Sequence, residues 1–356
     1  MNSNMSVSSE NGEPESPKHK VRKSSFGFIF RFIVTTLIIA YLAIKVHWSE
    51  LVGQLVKANF FWLTNAFLLF GIVYLLAALR WWFLLKVQDI HLPLRSVTAI
   101  TFIGQFFNSF LFGAIGGDII KVVYLQKYAP NQKTHATLSI IMDRVLGLLI
   151  LISASLIAIA VQFQYLMRDG KANSVMIALL LVLGISVTLG ITLVFFPFHH
   201  MPKSVRAIWN KIPHRHVLHL VLSGFRQHGV ALELTFASLV VGIAMTAVLV
   251  AAGYCIGIGI GQTVSYLQML VIMTVVICMI SLPISIGGHG VREGAFVIMF
   301  AAFGLINVDP QTGRGSELVI LFSLLFFAIP LIWSVVGGIV YLVFRHDYNL
   351  NLVREQ

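Results

Sequence analysis

Two long apolar segments of this chain are each broken by a pair of glycines, and ionisable residues follow each break. The first runs from Asn108 through Gly113, Gly116 and Gly117 to Asp118 and Lys121. The second runs from Pro283 through Gly287, Gly288, His289 and Gly290 to Arg292 and Glu293. Hydrocarbon supplies no hydrogen-bond partner for open backbone and strongly disfavours an ionised side chain. Both features must therefore be enclosed by protein or line a watery cavity. Two such breaks at corresponding positions in two halves of a chain point to a transporter-type binding region.

The setting of these breaks is a bilayer. The chain is 58% hydrophobic and 11% charged, with a mean hydropathy of +0.87, and several apolar stretches exceed the roughly 20 residues needed to cross a membrane. The two cysteines, Cys255 and Cys278, both lie in apolar stretches, which gives neither a disulfide framework nor a thiolate metal site. The net charge of +11 is carried in short loops between apolar runs, the positive-inside pattern of a membrane protein, and draws anionic headgroups to those loops. That placement, and the lack of a recognisable nucleic-acid-reading module, argue against nucleic acid as the partner.

The expected fold is all-α and polytopic, with about 6 full transmembrane helices and two re-entrant helical hairpins. Residues 1–24 read as a disordered basic tail, residues 25–345 as the integral membrane domain and residues 346–356 as a C-terminal tail. Full spans are expected at 26–46, 60–85, 136–163, 174–198, 230–256 and 317–344. A short amphipathic stretch covers 47–59, and a basic cytoplasmic loop covers 199–229. The hairpins occupy 97–128 and 266–306. Three spans and a hairpin make each half (25–163 and 174–345), and three is odd, so the second half is inverted relative to the first. With the N-terminus inside, Arg80, Lys86, Arg95, Lys121, Lys127, Lys133, the 199–229 loop and the C-terminus all fall on the cytoplasmic side. Spacing agrees: Gly117 precedes Asp143 by 26 residues and Gly288 precedes Glu317 by 29. Both hairpins drawn as full spans form the competing topology.

Several residues are candidates for binding. If the segment after Gly116 and Gly117 is helical, Asp118 and Lys121 share a face, and the helix start offers free N–H groups to a phosphate with Lys121 as counter-charge. The plain alternative is a packing turn with Asp118 as N-cap. Arg292 lies three residues beyond His289 and suits forked recognition of a phosphate; the alternative is an Arg292–Glu293 pair that shields itself. Asp143 and Arg144 either line a path or set helix depth as an interfacial pair. Arg80 is expected to snorkel to the cytoplasmic interface, whereas Glu233 is harder to bury and a better candidate for function. The six histidines between His199 and His228 match no zinc signature, and Gly257, Gly259 and Gly261 lack the strand–turn–helix setting of a nucleotide fingerprint. No metal or cofactor is expected.

The ordered set Arg80-Trp81, Asn108…Gly116-Gly117-Asp118…Lys121, Asp143-Arg144-Val145-Leu146-Gly147 and Pro283…Gly287-Gly288…Gly290-Val291-Arg292-Glu293 resembles the flippase-like family that includes the membrane domain of lysyl-phosphatidylglycerol synthases. The resemblance covers roughly residues 25–345 and implies a lipid-flipping domain of the bacterial inner membrane. The implied cargo is an anionic or zwitterionic phospholipid or a polyprenyl-phosphate lipid, and the implied partners are a second copy or a lipid-biosynthetic enzyme. In bifunctional relatives a cytosolic domain transfers lysine from tRNA to lipid. This chain, ending at Gln356, is expected to be a stand-alone member and not an enzyme. Aminoacyl-lipid synthesis and a non-transporting role beside a lipid or glycan enzyme are the alternatives. Some relatives carry an arginine before the proline of the last span. Here Leu321-Phe322-Ser323-Leu324 precedes Pro330 without charge, and Arg292 and Glu293 are expected to compensate. Glu233 matches an acidic position of the bifunctional members.

Overall fold

A computed structural model describes residues 48–110, 116–128, 132–162, 231–281, 290–306 and 317–354. The described residues form helices joined by turns. A short helix, α1 (Trp48–Val56), precedes α2 (Phe60–Val87), α3 (Leu94–Phe110), α4 (Gly116–Tyr128) and α5 (Lys133–Val161). After a stretch outside the described residues come α6 (Leu232–Gly259), α7 (Tyr266–Ser281), α8 (Val291–Ala302) and α9 (Glu317–Arg354). Helices α2, α5, α6 and α9 are each long and apolar enough to cross a bilayer. At 28 residues, α2 reaches about 42 Å, more than the roughly 30 Å of hydrocarbon. Leu68, Leu75, Ile243, Ile339 and Leu342 stay exposed on these helices, as a surface facing lipid requires. The chain is thus a polytopic α-helical membrane protein.

The two halves repeat element by element. Helices α2 and α6 have 28 residues each, α3 and α7 have 17 and 16, and α4 and α8 have 13 and 12. Even the caps agree. Past the end of α2, Asp89 takes φ 57° and Ile90 N–H donates to the Leu85 carbonyl at 3.0 Å; past the end of α6, Gly261 takes φ 84° and Gln262 N–H donates to the Gly257 carbonyl at 2.9 Å. Both are left-handed caps that satisfy a carbonyl of the last turn. Asp89 adopts this conformation despite its Cβ, which Asp tolerates better than most residues. The principal helix contacts recur when α2 is exchanged with α6, α3 with α7, α4 with α8 and α5 with α9.

Direction settles the kind of repeat. Asn59, whose side chain caps α2 by accepting from Phe61 N–H, donates its own N–H to the Gly259 carbonyl at 2.7 Å. The start of α2 therefore lies at the end of α6. Farther along, a Cβ on Gly242 would stand 3.3 Å from Arg80 Cδ. Equivalent helices that run antiparallel are related by a two-fold axis perpendicular to them, which here lies in the membrane plane. The repeat is inverted.

Each half holds a helical hairpin between its long helices. In the first, Gly104 of α3 faces Lys121 of α4 while Asn108, one turn farther along α3, meets Gly117, so the two helices run antiparallel. His135 Nδ1 lies 3.2 Å from Gln88 Oε1, so the hairpin leaves and returns at one end of α2. Each closing helix packs on the other half's hairpin. A Cβ on Gly337 of α9 would collide with the Phe102 carbonyl of α3, and Tyr341 meets Phe107 edge to face at 5.4 Å. Ser155 of α5 likewise reaches Cys278 of α7.

Helix α5 starts at Lys133, ahead of the expected 136, which puts Asp143 and Arg144 about three turns inside it. The membrane-length part of α9, Glu317–Val343, agrees with the span expected at 317–344, and the helix runs on to Arg354. The spans expected at 26–46 and 174–198, the loop 199–229 and the tail 1–24 lie outside the described residues.

The inverted repeat makes a direct prediction. His91 and Thr263 are exposed, and each lies a few residues past the end of an equivalent helix. In a background where Cys255 and Cys278 are serine, His91→Cys and Thr263→Cys are expected to react with an impermeant thiol reagent from opposite sides of a sealed vesicle. Reaction of both from one side would show a parallel arrangement.

Candidate functional site

The charged residues gather where α2, the first hairpin and α5 meet. Arg80 of α2 is 7% exposed, and its Nε lies 2.9 Å from Asp143 Oδ1 of α5. It does not snorkel. The early start of α5 carries Asp143 to its level, and two glycines make room for it. A Cβ on Gly147 would stand 2.9 Å from Arg80 Nη1, and one on Gly242 would crowd its stem. Burying two charges costs several kcal/mol each, roughly offset here by their mutual attraction at hydrogen-bond distance.

One turn of the hairpin away, Arg144 Nε lies 3.0 Å from Asp118 Oδ2 of α4. This pair is wetter, the Arg144 side chain being 55% exposed. Lys121 also comes from α4. Its stem rests against Gly104, which presents no side chain, and its Nζ stands 4.6 Å from the centre of the Trp81 ring. Trp81 in turn donates from Nε1 to Ser139 Oγ at 3.4 Å. Asp143 and Asp118 both act on the Lys121 ammonium electrostatically. The cluster thus holds three cations (Arg80, Lys121, Arg144) and two carboxylates (Asp118, Asp143), an excess of one positive charge.

The glycine pair serves packing more than ligand access. Gly117 is buried, and a Cβ there would collide with the Gly104 carbonyl and with Asn108. Its N–H donates to Asn108 Oδ1 at 2.8 Å, so Asn108 caps the start of α4 and takes up a donor expected to stay free. Gly116 is buried beside it. The positive character of the cluster therefore rests on side chains, with the helix end already satisfied at Gly117.

The second break is built differently. Arg292 and Glu293 of α8 are each 5% exposed and pair through Arg292 Nη2 and Glu293 Oε1. Arg292 Nε donates to Ser323 Oγ of α9 at 2.9 Å, and Ser323 donates on to Glu293 Oε1 at 3.3 Å. Glu293 Oε2 accepts from Gly290 N–H, and the guanidinium lies 5.0 Å from the Phe327 ring. Among the described residues this centre is neutral and self-satisfied, backed by Phe296, Phe300, Phe322 and Phe326. Charge thus comes to the uncharged segment before Pro330, through Ser323. No hydrogen bond or ion pair joins Arg292 or Glu293 to the first cluster among the described residues. Glu233 sits exposed in the first turn of α6. Pro283, Gly287, Gly288 and His289 lie outside the described residues.

Sequence reasoning passed over Gly242 and underused Trp81 and Ser323. Trp81 reads as an interface aromatic until Lys121 is placed on its ring. Gly242 leaves its signal only in three dimensions, as the small residue facing a buried arginine from another helix.

These features define an inverted-repeat membrane protein with a charged helical hairpin enclosed between its spans. The chain belongs to the lysylphosphatidylglycerol synthase TM region family, whose model matches residues 28–338. It is also similar to a UPF0104 membrane protein of Methanocaldococcus jannaschii, 24% identical over 143 residues, which is 40% of this chain and 41% of that protein. The match thus spans about two fifths of the relative's length.

The two ion pairs are expected to respond unequally. Asp143→Asn leaves Arg80 buried beside a neutral partner and should lower stability by about 3–5 kcal/mol. Arg144→Ala, at a pair whose arginine side chain is 55% exposed, should cost no more than about 1 kcal/mol. Thermal unfolding of the purified variants in detergent checks the difference, and equal losses would contradict the assigned burial.

Proposed function

We propose that this protein moves a polar-headed lipid between the leaflets of the membrane, receiving the headgroup at the cluster of Arg80, Asp118, Lys121, Asp143 and Arg144. The observation that carries this reading is the excess positive charge gathered, among the described residues, where a helical hairpin meets α2 and α5 inside an inverted repeat. In a medium of low dielectric a net cationic pocket attracts an anionic group strongly. Lys121 is the member best placed to turn toward a phosphate, because its ammonium rests on the Trp81 ring and no carboxylate forms a salt bridge with it among the described residues. A cation–π contact is worth about 0.5–2 kcal/mol, which a phosphate can replace. Arg144, already half in solvent, can exchange Asp118 for the same phosphate. The lipid is an anionic or zwitterionic phospholipid or a polyprenyl-phosphate lipid.

The inverted repeat supports alternating access, in which one half rocks against the other about a site near the midplane. Lys86, Arg95 and Lys127 collect at the end of α2 where the first hairpin opens, and the positive-inside bias assigns that end to the cytoplasm. The second centre acts as a closed counterpart, its charges satisfied by each other and by Ser323 until the halves move. The membrane is the bacterial inner membrane, with both termini cytoplasmic.

Purified protein reconstituted in liposomes with labelled phosphatidylglycerol, phosphatidylethanolamine and polyprenyl phosphate tests the reading. Leaflet exchange is expected to exceed that of empty vesicles for at least one lipid. Lys121→Ala should slow it about tenfold, equivalent to roughly 1.4 kcal/mol of barrier, while its thermal unfolding stays near that of the parent. Exchange no faster than in empty vesicles for every lipid would overturn the proposal. Aminoacyl-lipid formed in the same vesicles on addition of charged tRNA would support the transferase reading in its place.

A further inference from the structure

The repeat is broken at one place that the headgroup reading does not use. A groove of about 560 Å³ runs between α5, α6 and α7, lined by Leu149, Ile150, Phe236, Leu239, Ile243 and Leu270 among others. It lies within the roughly 300–1,000 Å³ typical of small-molecule sites. In the other half the corresponding space is filled. Counted from the helix starts, Leu149 of α5 stands where α9 carries Trp333, and Leu239 and Ile243 of α6 stand where α2 carries Phe67 and Gly71. Trp333 stacks on Phe67 at 4.9 Å, donates from Nε1 to the Phe67 carbonyl at 2.9 Å and lies against Gly71. The indole that closes one groove is absent from its twin, and among the described residues no side chain of similar size replaces it.

We propose that the open groove holds one acyl chain of the lipid whose headgroup the charged cluster receives. This inference rests on the lipid reading above and adds the place of the tail. The groove opens to the side, where Ile157, Phe236 and Ile243 are exposed, so a chain enters from the bilayer without crossing a polar barrier. Its hydroxyls are largely tied down: Thr246 donates to the Gly242 carbonyl at 3.0 Å and Tyr266 to the Ala247 carbonyl at 2.9 Å. Little is left to hold a polar ligand. Gly242 links the groove to the cluster, since a Cβ there would strike the groove residue Ile150 on one side and stand 3.3 Å from Arg80 Cδ on the other. A tail in the groove and a phosphate at the cluster therefore belong to one molecule.

The groove contributes alignment more than affinity. An acyl chain leaving bilayer hydrocarbon for apolar side chains gains no hydrophobic energy. It does lose freedom to rotate, which presents the headgroup to Lys121 and Arg144 in one orientation. Because the twin groove is closed by Trp333, only one side of the repeat grips a tail.

The test uses the full chain in phosphatidylglycerol vesicles doped with a phospholipid that carries a photoreactive diazirine midway along one acyl chain. Adducts are expected on peptides of α5, α6 and α7. Leu149→Trp, which supplies the missing indole, should reduce them about tenfold, the scale on which an apolar pocket rejects an ill-fitting group. Ile332→Trp, on an exposed face of α9, should leave them unchanged. Ile243→Trp provides a second blocking variant should Leu149→Trp unfold. Labelling spread evenly over lipid-facing helices and indifferent to both blocking variants would overturn the groove. The headgroup reading would still stand if Lys121→Ala slowed leaflet exchange. Cross-linking of Ile243→Cys to a second copy, or to residues 174–198 of its own chain, would also overturn it by showing protein in the tail's place.

Discussion

A mostly buried ion pair sets the terms for the first half of this protein. Arg80 and Asp143 come from two long helices and meet at 2.9 Å with little exposure. Neither charge is tolerable at that depth without the other. Their meeting fixes how far α2 and α5 slide past each other and demands glycine at 147 and 242. That in turn brings Trp81 to Ser139. The hairpin then docks with Asp118 on Arg144 and Lys121 on Trp81. The remaining polar contacts of the cluster follow from that registration.

The second half uses the same elements for a different end. Its buried arginine and carboxylate lie on the hairpin itself, as neighbours in sequence that neutralise each other on one helix. What surrounds them is aromatic, with Phe296 packed on Phe322 at 4.9 Å. One half thus keeps a charged and partly open centre, and the other keeps a dry and closed one. Duplicated architecture has been given two chemistries by a handful of side chains.

The broad design was legible in the sequence because membranes impose simple rules. Helix length, glycine breaks and charge placement located α2 to α9 and predicted the inverted relation that the Asn59–Gly259 contact displays. The candidate residues of the first cluster were legible as a group because ionisable side chains in apolar segments are few. Their partners were not. Sequence separation hides that Arg80 faces Asp143, since that depends on the helix starting at Lys133 and on glycines in two other helices. The two readings of Gly117 could not be separated for a related reason: a glycine needed for close approach of Gly104 looks the same, in sequence, as one that exposes backbone to a ligand. Ser323 drew notice only for lacking a charge, although its hydroxyl links Arg292 to Glu293.

The antiparallel match of α2 with α6 bears on how the chain is born. A body whose two halves exchange under a two-fold axis in the membrane plane presents nearly the same apolar profile right side up or upside down. Hydrophobic insertion by itself then has almost no basis for choosing between the two orientations. The choice falls to the few basic residues at loop ends, such as Lys86, Arg95 and Lys127, which resist translocation. A protein of this shape owes its handedness in the membrane to the lysines and arginines outside its apolar spans, and dual insertion is the failure that their loss would invite.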